Sequence, residues 1–157
     1  MNLPGEKFNL GIISDTHNLL RPEALEKLKG SDLIIHAGDI GERKILDELE
    51  TLAPVVAVRG NVDRAEWCQA LSLAQILTLG RVRIYVIHNL KELAIDLQKE
   101  QIQAVVSGHS HNPLIENRNG ILFINPGSAG KRRFKLPITL ATAEIIDQKV
   151  DARIIEL

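Results

Sequence analysis

The sequence predicts an α/β protein in which two β-sheets pack face to face with helices outside. Three observations predict it. From Phe8 to Val58, short apolar runs alternate with amphipathic segments in the order β-α-β-α-β, which implies parallel strands joined by right-handed crossovers. From Ile76 onward, paired apolar runs around turn residues imply hairpins and a second sheet. The chain has 157 residues, 45% hydrophobic and 25% charged, which suits one soluble domain over residues 1–157 with a core of its own.

Each element has a local reason. Phe8–Ser14 is an apolar run and reads as the first strand. Pro22–Leu28 reads as a short helix, with Pro in its first turn and Gly30 beyond its end. Asp32–His36, DLIIH, is a buried strand, and Val55–Val58 is a third. Between them, Ile45, Leu46, Leu49 and Leu52 recur at helical spacing within Glu42–Leu52. Ile76–Leu79 and Val82–Ile87 form a hairpin around Gly80-Arg81. Leu90, Leu93, Ala94 and Leu97 share one face of a helix over Leu90–Glu100. Ala104–Ser107 is a strand, and Leu114–Glu116 pairs with Ile121–Ile124 across Asn119-Gly120. Ile138–Ile146 and Val150–Ile155 form a last antiparallel pair.

Composition excludes several function classes. A net charge of −1 gives no long-range attraction to a polyanion, which disfavours long nucleic acid as a partner. Cys68 is the only cysteine, so neither an internal disulfide nor a thiolate zinc site is available. The N-terminal MNLPGEKFNL lacks a long apolar stretch, and no run approaches the roughly 20 residues that span a bilayer. A cytoplasmic protein without a membrane partner is expected. Oligomeric state is left open, a homo-oligomer included.

The chemistry-bearing side chains fall at strand ends. Asp15 and His17 follow the first strand, Asp39 follows the second in HAGD, and Asn61 and Asp63 follow the third in RGNVD. His88 follows Val82–Ile87, and His109 and His111 follow Ala104–Ser107 in SGHSH. In open α/β sheets the carboxyl ends of strands are where ligands bind. Four of the chain's five histidines lie there, and only His36 sits inside a strand, as a hydrogen-bonded core residue. The i, i+2 spacing of Asp15/His17 and His109/His111 puts each pair on one side of an extended backbone. Gly38, Gly41, Gly60 and Gly108 flank these residues and allow close approach of backbone to ligand. A metal site follows.

The donors are carboxylates, imidazoles and an amide oxygen. Seven are too many for one tetrahedral zinc and suit two ions sharing a carboxylate. Mixed N/O donors favour Mn²⁺, Fe²⁺, Ni²⁺ or Zn²⁺ over Ca²⁺, and ligand type does not choose among them.

Asp15-Thr16-His17, Gly38-Asp39, Gly60-Asn61-Val62-Asp63, His88 and Gly108-His109-Ser110-His111 resemble, in order, the signature of the calcineurin-like metallophosphoesterases. The small single-domain bacterial and archaeal phosphodiesterase branch is the nearest match, and Asn125-Pro126-Gly127-Ser128 also resembles it. The resemblance implies a four-layer α-β-β-α sandwich of two mixed sheets flanked by helices. It implies that Asp15, His17 and His111 bind one ion, that Asn61, His88 and His109 bind the other, and that Asp39 bridges them. Asp39, Asn61 and His109 would then carry catalysis through the metals. A metal-bound hydroxide would attack a small phosphate ester in line, a diester in preference to a monoester.

Two positions depart from the family. Many members carry a histidine directly after the Asn; here it is Val62, which cannot donate a proton. Weaker general-acid help and a preference for good leaving groups follow. Asn89 stands after His88 where the family usually has glycine, and Asn tolerates the left-handed backbone such a turn needs.

Asp63 is the one candidate for a separate proton donor, against a supporting role behind the ligands. Lys131-Arg132-Arg133-Phe134 is the densest basic stretch, and Arg132 or Arg133 would hold the substrate phosphate or its leaving-group side. The alternative reading is a protein-interaction scaffold of the same fold, similar to the small retromer subunit. Retention of metal-competent side chains at all seven positions favours the enzyme.

Overall fold

Two sheets face each other across an apolar core in the computed structural model, which describes residues 1–157. The first sheet contains β2 (Lys7–Ile13), β3 (Leu33–His36), β4 (Val55–Ala57), β10 (Thr139–Ile146) and β11 (Lys149–Glu156), in the order β11-β10-β2-β3-β4. The second contains β1 (Asn2–Leu3), β5 (Ala74–Leu79), β6 (Val82–Ile87), β7 (Ala104–Val106), β8 (Leu114–Arg118) and β9 (Ile121–Asn125), in the order β1-β5-β6-β7-β9-β8. Both are mixed. β2, β3 and β4 run parallel, as do β6, β7 and β9, while β10 and β11 pair antiparallel.

Strand period places the core. In β2, Phe8, Leu10 and Ile12 point between the sheets, where they join Leu33 and Ile35 of β3 and meet Leu77, Ile84, Val86, Val106 and Ile124. Ile13 and Ile34 point the other way, toward the helices. Each fully buried Leu or Ile contributes about 1.5–3 kcal/mol by leaving water. Helices α1 (Pro22–Leu28) and α2 (Lys44–Glu50) bury Ala24, Leu28, Ile45, Leu46 and Leu49 against that outer face. No helix is long and apolar enough to cross a membrane.

The expected helix over Leu90–Glu100 is absent. A single 3₁₀ turn, Leu90–Glu92, opens the segment. The apolar residues still cover the sheet, but at a different spacing: Leu90, Leu93, Ile95 and Leu97 lie against Tyr85, Val105 and Ile121 on the outer face of the second sheet, while Ala94, expected on that face, is exposed. The backbone is diverted by two side chains. Asn89 Oδ1 accepts the Lys91 N–H, and Asp96 Oδ1 accepts those of Gln98 and Lys99. Such local bonds compete with helical ones. Asn89 itself is extended at φ −109°, so this turn needs no left-handed residue. The outermost layer on this side is therefore turns and a 3₁₀ segment.

Candidate metal centre

The carboxyl ends of β2, β3, β4, β6 and β7 meet at one edge of the sandwich, and their loops interlock. Asp15 N–H donates to Gly38 O at 3.0 Å, His17 N–H to Asp39 O at 3.0 Å and Asn18 N–H to Ile40 O at 2.9 Å. Gly108 N–H donates to His88 O at 3.0 Å, joining the two loops of the second sheet. Glycine is required at two close approaches. A Cβ on Gly60 would collide with the carboxylate and amide of Asp39, and one on Gly108 with the Ser14 hydroxyl and the Asp15 carboxylate.

All seven candidate ligands lie at this edge. Ligand-type atoms of Asp15, His17 and His111 lie within 4.8 Å of one another, as do those of Asp39, His88 and His109. The histidines pair accordingly, with ring centroids 5.3 Å apart for His17/His111 and 5.2 Å for His88/His109. Asn61 Oδ1 lies 3.0 Å from His88 Nε2 and 3.1 Å from His109 Nδ1, within the second group. Asp39 Oδ2 stands between the groups, 3.6 Å from His17 Nε2 and 3.3 Å from His88 Nε2. Asp15, Asp39, His88 and His111 are buried, whereas His17, Asn61 and His109 form the more open face.

The i, i+2 spacing works differently from the extended-strand expectation. Asp15, His17, His109 and His111 have φ of 54°, 43°, 69° and 60°, and Asp39 has 57°. Left-handed non-glycine residues are uncommon and carry strain, and they concentrate at functional sites. Of ten non-glycine residues with positive φ, these five are candidate ligands.

Each carboxylate is tied at one oxygen and open at the other. Asp15 Oδ2 accepts the Ser14 hydroxyl at 2.6 Å and the His109 N–H at 3.1 Å. Its Oδ1 is buried without a hydrogen-bond partner, as are His17 Nε2 and His111 Nδ1. Asp39 Oδ1 accepts the Val62 N–H at 3.1 Å, leaving Oδ2 to the centre. His88 Nδ1 lies 2.7 Å from Ala37 O, which accepts its proton, so that Nε2 faces Asp39 and Asn61. Buried oxygens and imidazole nitrogens facing one another unpaired are costly unless a cation lies among them. The donor set therefore fits divalent first-row ions.

Electrostatics agrees. Burial would raise the Asp15 carboxyl, but the His111 imidazole 3.2 Å from Oδ1, the Ser14 hydrogen bond and the His88 charge hold it below its usual value. Burial likewise opposes ionisation of Asp39, and the His88 and Val62 hydrogen bonds outweigh it. Burial would lower the His88 imidazole, yet Asp39 and Asp15 raise it. A cluster that favours positive charge on its own histidine favours a cation.

Asp63 points away from proton donation. Its Oδ2 accepts the N–H groups of Asp39 at 2.9 Å and Gly60 at 2.8 Å, and its Oδ1 accepts that of Ile40 at 2.9 Å. It clasps the Asp39 loop to the Asn61 loop. Arg132 and Arg133 are exposed, just beyond Gly130, which packs on the backbone of Asp15 and Thr16. Cys68 is free and buried.

Several supporting residues escape a reading of spacing. Asn125 Nδ2 donates to Gly108 O at 3.0 Å, and Ser128 Oγ donates to Asp15 O at 3.0 Å, bracing both sides of the centre. The Asn125-Pro126-Gly127-Ser128 motif was their one signal. His36, fully buried, accepts the Gly38 N–H at Nδ1, so its Nε2–H donates to the Thr16 hydroxyl at 3.0 Å, which donates in turn to Ile40 O at 2.7 Å.

This neutral His36 gives a pH prediction. Burial lowers its pKa from 6.5 to about 4, against the opposing charges of Asp15 and Asp63. Between those values the unfolded chain binds a proton that the folded chain refuses. Stability therefore falls as pH drops from 6.5 to 4, by about 3 kcal/mol from this residue. Urea titrations across that window should show a steep pH slope that His36→Gln flattens; an unchanged slope would contradict the assignment.

Comparison with known proteins agrees with this geometry. Residues 8–148 match the calcineurin-like phosphoesterase superfamily domain. A probable metallophosphoesterase of Methanocaldococcus jannaschii is 34% identical over 98% of this chain and 83% of its own length. A phosphodiesterase of the same organism is 24% identical over 76% of this chain and 83% of its own. Among solved structures, Vps29 of Chaetomium thermophilum superposes with a TM-score of 0.77 at 18% identity, over 96% of this chain and 97% of its own. With the family match over residues 8–148 and 34% identity across nearly its whole length, the chain belongs to the calcineurin-like phosphoesterase superfamily.

Proposed function

We propose that the chain is a phosphodiesterase whose centre takes two divalent cations, Mn²⁺ first, with Fe²⁺, Ni²⁺ or Zn²⁺ as alternatives. Asp15, His17 and His111 hold one; Asn61, His88 and His109 hold the other; Asp39 is shared. The observation that carries the reading is Asp39 Oδ2, 3.6 Å from His17 Nε2 and 3.3 Å from His88 Nε2, with a ligand group on either side. Two such cations, when bound, activate water and offset charge on the phosphoryl oxygens.

The chain's own residues set the rest. The buried side of the centre, Asp15, Asp39, His88 and His111, excludes water, and the substrate enters over His17, Asn61 and His109. Val62, half exposed beside Asn61, offers no proton to a departing alcohol. Diesters with good leaving groups are therefore the favoured substrates. Arg132 and Arg133 meet the substrate's charge from the adjoining loop. The similarity to Vps29, at 18% identity, concerns the fold and adds no weight to a scaffold role.

The test strips the protein with chelator and reloads it with Mn²⁺, Ni²⁺, Zn²⁺ or Mg²⁺ in turn. Hydrolysis of bis-p-nitrophenyl phosphate should return with a transition ion and exceed that of p-nitrophenyl phosphate. Inertness with every ion, in a protein that stays folded, would overturn the proposal.

A further inference from the structure

A pocket of about 340 Å³ opens beside the centre, around the Gly108–Ser110 turn. That is the size of a small-molecule site. Leu90, Leu114 and Phe123 supply apolar walls, and Lys91 and Asn112 supply an ammonium and a carboxamide. His109 lines the pocket and also belongs to the second ligand group, so pocket and centre share a wall. The cavities lined by Lys27 and Arg153, and by Arg81 and Gln148, include none of the seven candidate ligands.

Leu114 remains 41% exposed at one end of β8, a strand otherwise mostly polar. Phe123 is half-buried, and the Arg118 guanidinium stands 4.7 Å from its ring centroid and steadies it. Lys91 and Asn112 are exposed. Apolar walls with a few polar groups at the rim match an occupant that is flat, apolar on its faces and hydrogen-bonding at its edge.

We propose that this pocket receives the nucleobase of a nucleotide phosphodiester whose phosphorus lies at the centre. Leu114 and Phe123, diagonal neighbours on one face of the β8–β9 pair, contact one face of the base, Asn112 meets its edge, and Lys91 faces a neighbouring phosphate. The inference rests on the diesterase reading above and names its substrate class. Contact of a base with an aromatic and apolar wall raises affinity on the order of tenfold.

The test titrates the Zn²⁺-loaded protein with AMP, methyl phosphate and adenosine, following the amide NMR signals of Lys91, Ser110 and Leu114. Hydrolysis of bis-p-nitrophenyl phosphate is measured in parallel. AMP should bind at least about tenfold more tightly than methyl phosphate, and adenosine alone should shift the pocket amides. Leu114→Gln combined with Asn112→Ala, both at exposed positions, should erase the AMP advantage and leave methyl phosphate affinity unchanged. Equal affinities, or an advantage that survives those substitutions, would overturn the proposal. Diester turnover with pocket amides unmoved by adenosine would sink the pocket and leave the diesterase reading standing. Adenosine bound there without turnover under any ion would support the pocket and sink the diesterase reading.

Discussion

Replacing Asp39 with Asn should lower cation-supported diester hydrolysis by at least about 10²-fold while the chain stays folded. The substitution keeps size and shape. An amide oxygen can still accept the Val62 N–H, as Asp39 Oδ1 does at 3.1 Å. What changes is the other atom. An NH₂ group would replace Oδ2, the atom that faces His17 Nε2 at 3.6 Å and His88 Nε2 at 3.3 Å. A shared lone pair and a negative charge disappear together, and a donor points where two cations need an acceptor. Bound metal, measured after dialysis, should fall from two ions per chain to one or fewer. The unfolding temperature of the chelated protein should fall modestly while the fold persists, because the folded state favours this charge beside His88. Near-normal kcat/KM in this variant would show that Asp39 is not shared between cations.

Replacing Asp63 with Ala should destabilise the chelated protein by about 4 kcal/mol. Asp63 is 4% exposed and satisfies the N–H groups of Asp39, Ile40 and Gly60 from three directions. Its loss strands three buried donors, each costing about 1–3 kcal/mol, less what entering water restores. The loops it joins carry Asp39 and Asn61, so metal affinity should fall as well, although Asp63 faces neither ligand group. Asp63→Asn, with one carbonyl oxygen left, should cost about half as much. Urea unfolding midpoints test the series. A cost below about 1 kcal/mol for Asp63→Ala would show that the loops hold their shape without this clasp.

Much of this molecule was legible in its sequence because period and position carried the information. Asp32–His36 reads as a buried strand, and Leu33–His36 is one, buried at every residue. Pro22 and Gly30 bracketed α1. Polar residues directly after apolar runs marked one edge of two sheets, and the loops of that edge do meet. The unread parts depend on contacts that spacing does not encode. Asp96 turned a helical pattern into turns by binding two nearby N–H groups. β1 is two residues long and exists only through its pairing with Thr78 and Leu79 of β5. Ser128 braces Asp15 from 113 residues away, and nothing local to either position announces it. The left-handed backbone at Asp15, His17, His109 and His111 likewise follows from loops pressed together, where an extended arrangement was expected.

The most direct test is anomalous X-ray diffraction from crystals soaked in Mn²⁺. Two peaks roughly 3.5–4 Å apart are predicted, one beside Asp15, His17 and His111, the other beside Asn61, His88 and His109, with Asp39 touching both. A single peak away from Asp39, or none at this edge while Mn²⁺ binds elsewhere, would contradict the account.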